Sequence, residues 1–211
     1  MRISLIGMSH VGKTYWAKKL EEKGFIRFSC DDFIEEKLKA ELAQSGYSGI
    51  EGVSKWMGQP YDFQYSGASK KYLELEILSL RNILSDIDNL NGQNVVIDTT
   101  GSVIHTGQEV MQNLARKTRI LELDTPESVK QEMYKSYLIN PKPVIWGDVY
   151  KKFDDESTEQ ALARCYPLLL DYRTRKYKKY AHVSLNYFLL RQKDFSTENF
   201  LNLLFSLEEK I

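Results

Sequence analysis

At 211 residues the chain can bury the core of one compact domain and is short for two. Lysine plus arginine (29) cancel aspartate plus glutamate (29), which excludes a global field drawing the protein to nucleic acid or to an anionic membrane, so any anion binding must be local. Cys30 and Cys165 lie far apart without a CxxC partner, and no run of about 18 apolar residues occurs, which argues against a disulfide framework, a zinc site or a membrane span and for a soluble, unexported, cytoplasmic chain.

The chain opens on Ile3-Ser4-Leu5-Ile6, an apolar run that predicts a strand. A glycine-bearing loop follows, and residues 14–23 read as a helix closed by Gly24. Phe25-Ile26-Arg27-Phe28 predicts a second strand, and Ser29-Cys30-Asp31-Asp32 leads into an amphipathic helix carrying Phe33, Ile34, Leu38 and Leu42. Residues 45–67, rich in Gly, Ser, Tyr and Gln around Trp56 and Pro60, read as an irregular flap. Leu73, Ile77, Leu80, Leu84 and Ile87 then recur at helical spacing, which predicts a long helix over residues 68–90 stopped by Asn91-Gly92. Val95-Val96-Ile97 predicts a buried strand ending at Asp98, residues 105–117 a helix, and Ile120-Leu121-Glu122-Leu123 the next strand. Pro126 starts a helix that residues 140–143 break. After a charged stretch, a helix over residues 157–180, a strand over 182–186 and a helix over 197–208 follow.

Strands alternating with helices predict a three-layer α/β/α domain with a mostly parallel sheet and ligands at the carboxyl ends of its strands. Residues 7–14, 29–32 and 98–101 all lie just after predicted strands. The first of these, Gly7-Met8-Ser9-His10-Val11-Gly12-Lys13-Thr14, satisfies G-x-x-x-x-G-K-[ST] in full, with a strand before it and a helix after. The glycines let backbone N–H groups fold around phosphate oxygens, and the helix N-terminus adds its partial positive charge. Gly7, Ser9, His10, Val11, Gly12, Lys13, Thr14 and Tyr15 are therefore expected to hold a nucleoside triphosphate. Lys13 would reach the β- and γ-phosphates and the Thr14 hydroxyl would bind Mg²⁺. His10 reads as a spacer rather than a catalyst.

Asp98-Thr99-Thr100-Gly101 is similar to the D-x-x-G element of switch GTPases, but no N-K-x-D sequence accompanies it. Asp98 could hold Mg²⁺ through water, as in small-molecule kinases, or cap a helix in the strand-to-helix turn. For Asp31 and Asp32 the corresponding alternative is a helix N-cap, with Asp32 as the capping residue.

Four further segments are Ser29-Cys30-Asp31-Asp32-Phe33-Ile34-Glu35, Lys70-Lys71-Tyr72-Leu73-Glu74, Lys142-Pro143-Val144-Ile145 and Arg173-Thr174-Arg175-Lys176-Tyr177-Lys178-Lys179-Tyr180-Ala181. With the phosphate loop and Thr99-Thr100-Gly101, they follow the motif order of the shikimate kinases, within the nucleoside monophosphate kinase-like group. The chain resembles that family over nearly its whole length. The resemblance implies a single P-loop kinase domain over 1–211 with a five-stranded sheet of order 2-3-1-4-5, a substrate-binding flap and long helix near 35–90, and a lid near 140–156. It also implies ATP and Mg²⁺ as cofactors. Asp31 takes the place of the aspartate that holds the acceptor hydroxyl and helps accept its proton, and Ser29 that of an aspartate near Mg²⁺. Lys71, Gly101, Lys142 and Arg173 fall on substrate-binding positions, Lys142 also acts on the transferring phosphoryl group, and Lys135 falls on the adenine-stacking arginine.

Three family arginines have thus become Lys71, Lys135 and Lys142, which keeps charge but loses the bidentate fork and argues against shikimate itself as acceptor. The expected activity is ATP-dependent phosphorylation of a small anionic hydroxyl metabolite by a monomer or weak dimer with no nucleic-acid or membrane partner. The alternatives are a switch or regulatory NTPase and a degenerate nucleotide-binding protein. Trp56, Tyr61, Phe63 and Tyr65 either line the substrate pocket or anchor the flap, and residues 173–179 read as a helix face with one functional arginine.

Overall fold

The computed structural model describes residues 1–208. Strands β1 (Arg2–Ile6), β2 (Ile26–Ser29), β3 (Val95–Asp98), β4 (Arg119–Leu123) and β5 (Val183–Leu185) form one sheet in the order β2-β3-β1-β4-β5. All neighbours pair in parallel. The central strands demand this arrangement: Ile3, Leu5, Val95, Val96, Ile97, Ile120 and Leu121 are fully buried, so both faces of the sheet must be covered. The fold class and strand order expected from the sequence are those observed.

Helices α1 (Lys13–Glu21), α2 (Cys30–Gln44), α3 (Gly49–Met57), α4 (Tyr65–Asp86), α5 (Gln108–Lys117), α6 (Glu127–Ile139), α7 (Thr158–Tyr180) and α8 (Thr197–Glu208) cover it. A capping box of Ser157 and Gln160 starts α7. Trp16 of α1 stacks on Phe200 of α8 at 4.5 Å, tying the first helix to the last. Among the described residues no helix is long and apolar enough to cross a membrane.

Two expectations need correction. The segment 45–67 is not irregular, since it contains α3, whose Val53 and Met57 pack with Ile34, Leu38 and Leu42 of α2 in a small second core. The misleading residue is Gly52, which weakens helix propensity but is required by packing, because a Cβ there would stand 3.1 Å from the Tyr47 Cβ. The long helix α4 also ends earlier, at Asp86, with one 3₁₀ turn (Ile87–Asn89) beyond it. Its last two turns bury Leu80, Ile83 and Leu84, but before them the helix buries Tyr72, Glu76 and Ser79 rather than Leu73 and Ile77. Apolar periodicity cannot register a buried face made of polar groups.

Candidate active site

The phosphate loop leaves β1 at Gly7, whose φ of 142° and close approach to β4 leave no room for a side chain: a Cβ would lie 2.7 Å from the Leu123 carbonyl oxygen. We expect Gly7→Ala to lower stability by about 2–3 kcal/mol, visible as a fall in Tm with the far-UV circular dichroism unchanged. Gly12 caps α1 in the left-handed region (φ 103°) without a side-chain hydrogen bond, so the first N–H groups of the helix remain open to an anion. Lys13 is 7% exposed, and its ammonium donates to the carbonyls of Gly7 (3.0 Å) and Met8 (2.9 Å). Burial lowers its pKa, and the carboxylates of Asp98 and Asp31 oppose the shift.

His10 is the one non-glycine residue with positive φ (63°) among those described. Its carbonyl accepts from Arg191, 3.1 Å away, and the Arg191 guanidinium lies 3.7 Å over the Tyr187 ring. Burial and the nearby Lys142 and Lys13 charges lower the His10 pKa, so the imidazole is neutral at pH 7. Neither Arg191 nor Tyr187 carries a motif, and proximity to the loop is their sole signal. Beside His10 runs a groove of about 450 Å³ lined by Val129, Met133, Ser136, Asn140 and Tyr187. Glu132 lines it too, and Lys135, which does not, pairs with Glu132 at 2.9 Å.

On the other side of the loop, Ser9, Lys13, Thr14 and Tyr15 share a cavity of about 350 Å³ with Asp31, Ile50, Tyr72, Gly101, Lys142 and Pro143. Parallel register sets Ser29 beside Asp98 at the carboxyl edge of the sheet. The Ser29 hydroxyl caps α2 by accepting from the Asp32 amide at 3.2 Å. The cap is therefore Ser29, not Asp31 or Asp32, which occupy the first helical turn. Asp98 is 3% exposed, with one carboxylate oxygen 3.4 Å from Arg27 and the other, Oδ1, without a hydrogen-bond partner among the described residues. Arg27, which sequence reasoning missed, also reaches Asp32 at 3.3 Å.

Asp31 opens on the cavity and accepts from the Tyr72 hydroxyl at 3.4 Å. Burial pushes its pKa up to about 6 against the pull of Lys13, while Asp98 and Asp32 push the same way as burial. At neutral pH the carboxylate is ionised and can take a proton.

Lys142 reaches the cavity 3.6 Å from Glu51 of α3. Arg173 is 4% exposed, donates to the Ile145 carbonyl at 3.0 Å and borders a small chamber behind Ser9 and Lys142. Gly101 touches both sides, since a Cβ there would stand 2.9 Å from the Ser9 hydroxyl and 3.7 Å from Arg173. Lys71 is not brought to the cavity. It pairs with Glu41 of α2, and the helix register presents Tyr72 instead. The same shift leaves Glu74 exposed and buries Glu76.

The hydroxyls of Thr99 and Thr100 are consumed internally, by the Leu5 carbonyl and by Glu76. Tyr65 is an anchor, donating to the Val144 carbonyl and accepting from the Trp146 amide, both at 2.9 Å. Tyr61 and Phe63 face solvent. Of residues 173–179, Arg173 and Tyr177 turn inward and Arg175, Lys178 and Lys179 outward.

A phosphate group fits the loop on direct grounds: the open N-terminus of α1, the glycine-only backbone and a buried ammonium that has only loop carbonyls to bond. Mg²⁺ fits Thr14 and the unpartnered Asp98 oxygen as a partial donor set. Among the described residues no three His, Cys, Asp or Glu side chains converge on a metal site, so phosphate oxygens and water must supply the remaining ligands.

No family model and no curated protein matches the chain. Solved structures do. Shikimate kinase from Acinetobacter baumannii in complex with shikimate superposes with a TM-score of 0.60 at 17% identity, over 99% of this chain and 93% of that one. This is the fold of the shikimate kinases. The enzyme from Bacteroides thetaiotaomicron gives 0.58 at 18% identity over 99% and 98% of the two chains, and that from Aquifex aeolicus 0.54 at 17% over 100% and 98%. At these identities the likeness to shikimate kinase is one of architecture, and chemistry has to be argued from the cavity.

Proposed function

We propose that the protein is an ATP- and Mg²⁺-dependent kinase that phosphorylates the hydroxyl of a small anionic metabolite. One observation carries the reading: a buried phosphate-loop lysine, Lys13, and an ionised carboxylate with a raised pKa, Asp31, line the same cavity from opposite elements. A nucleotide held only for switching has no use for that carboxylate.

The triphosphate lies in residues 7–14, and the groove beside His10, with Tyr187 and Met133 on its walls, receives the base. Mg²⁺, held with Thr14 and Asp98, supplies neutralisation of phosphate charge. Asp31 orients the acceptor hydroxyl and takes its proton as the oxygen attacks the γ-phosphorus. The new O–P bond forms as the bond to the β,γ-bridging oxygen breaks, and ADP leaves with the electron pair. Lys13 and Lys142 neutralise charge on the transferring group, with Lys142 carried on the lid segment 140–156, whose closure excludes water.

Lys142 and Arg173 make the acceptor end positive. With Lys71 tied to Glu41, that end holds one cation fewer than the motif order implies, which argues against shikimate itself as the acceptor.

The test is a metabolite screen with ATP and Mg²⁺ read by product mass, with shikimate included. A phosphorylated hydroxyl compound is expected from the wild type, and Lys13→Ala is expected to lower its formation at least about 100-fold. Nucleotide binding with no phosphorylated product would favour a switch NTPase or a degenerate binding protein, and absence of nucleotide binding would remove the phosphate-loop assignment as well.

A further inference from the structure

Glu76 is fully buried on α4, and each of its oxygens meets a hydroxyl from the turn after β3. Thr100 donates to Oε1, and Ser102 donates to Oε2 at 2.7 Å. The two hydroxyls stand 2.9 Å apart, and the Ser102 amide donates to the Thr100 oxygen at 3.0 Å. Among the described residues no lysine or arginine forms an ion pair with Glu76. A carboxylate buried in this way is costly, and a leucine would pack the same face without that cost. Its retention needs a reason beyond packing.

One turn earlier on the same face of α4 stands Tyr72, 2% exposed. Its phenol lies against the Thr100 and Ser102 hydroxyls and donates to Asp31 Oδ1 at 3.4 Å. A continuous set of polar contacts thus runs from the core at Glu76, through Thr100 and Ser102, to Tyr72 and the cavity at Asp31.

We propose that Glu76, Thr100, Ser102 and Tyr72 form a buried positioning relay that holds the Asp31 carboxylate in orientation for the acceptor hydroxyl. The relay rests on the reading of Asp31 as proton acceptor. Its polarity follows from donor and acceptor counts. An ionised Glu76 takes the hydrogens of both hydroxyls, so neither donates to the phenol, and the phenol hydrogen goes to the charged acceptor within its reach, Asp31 Oδ1. With Oδ1 engaged, Oδ2 is left to receive the acceptor's proton. The four are positioning residues, and only Asp31, which they hold, exchanges the proton.

Two measurements on the full chain test this. In the first, without substrate, tyrosine is labelled with ¹³C at Cζ and the Tyr72 resonance is assigned by its loss in Tyr72→Phe. Glu76→Gln and Asp31→Asn are each expected to move that resonance, since they alter opposite ends of one contact chain. A resonance left in place by either variant overturns the relay whatever the protein's activity.

In the second, phosphate release from ATP and Mg²⁺ is followed with water as the acceptor. Tyr72→Phe is expected to lower kcat about ten- to a hundredfold with the KM for ATP and the binding of a fluorescent ATP analogue unchanged. Glu76→Gln, which still offers a hydrogen-bonding partner to each hydroxyl, is expected to retain more of kcat than Glu76→Leu. An unchanged kcat in Tyr72→Phe, or equal loss in the two Glu76 variants, overturns the positioning role. A wild type that binds ATP but transfers to neither water nor any hydroxyl compound defeats the kinase reading, and the resonance experiment then still decides whether the relay exists.

Discussion

Exchanging Asp31 for asparagine is expected to lower phosphoryl transfer by about 10²–10⁴-fold, the usual worth of a positioned general base. The substitution keeps shape and removes the capacity to take a proton, so the loss belongs to kcat. ATP binding should persist, because Asp31 lies across the cavity from the open N-terminus of α1 and its charge, if anything, competes with phosphate for Lys13. The wild-type pH profile carries the same signature. Burial raises the Asp31 pKa to about 6, and only the ionised carboxylate accepts a proton, so turnover should fall as pH drops through about 6. Steady-state kinetics from pH 5 to 8 check both points. Transfer that survives in the asparagine variant would assign the base elsewhere.

Glu76→Gln should make the protein more stable, and more so at high pH. Burial raises the Glu76 carboxyl from 4.5 to about 7 against the pull of its hydrogen bonds from Thr100 and Ser102, with Asp31 adding to the rise and Arg173 opposing it. Cys30 of α2, Tyr72 of α4, Tyr177 of α7 and Lys13 of α1 also face this carboxyl. A raised folded pKa means that the folded state binds more protons than the unfolded one between the two values. The stabilising contribution is therefore complete below the unfolded value and is lost as pH rises through about 7. Over that window the loss amounts to about 3 kcal/mol. Glutamine does not ionise and escapes it. The difference in Tm between variant and wild type should grow by about 6–12 °C from pH 4.5 to pH 8. A constant difference would show that Glu76 titrates alike in the folded and unfolded states. Gained stability alongside lost turnover would separate a positioning role from a structural one.

Much of the architecture was legible because the central strands are continuous apolar runs and the phosphate loop has a spacing that chance rarely produces. Asp31, Gly101 and Lys142 could be placed beside that loop from motif order alone, and all three line the cavity. Legibility failed wherever a buried face is polar. Lys71 was preferred to Tyr72 because charge was sought at that position, and Glu76 went unnoticed because its partners, Thr100 and Ser102, lie more than twenty residues away. Helix α3 was hidden by a glycine that only the proximity of Tyr47 explains. Lys135 does not itself line the groove beside His10, although its ion-pair partner Glu132 does.

The hold of Arg191 on the His10 carbonyl has a consequence for the order of events at the ribosome. The phosphate loop is synthesised first, yet the residue that braces it follows 181 positions later, and the Trp16 stack on Phe200 closes later still. At usual elongation rates the loop waits roughly ten to forty seconds for its brace. The central strand β1 likewise has no neighbour on either side until β3 and β4 have emerged. A nascent chain therefore carries the whole phosphate-loop motif without the contacts that brace it until residues 191–200 have been made.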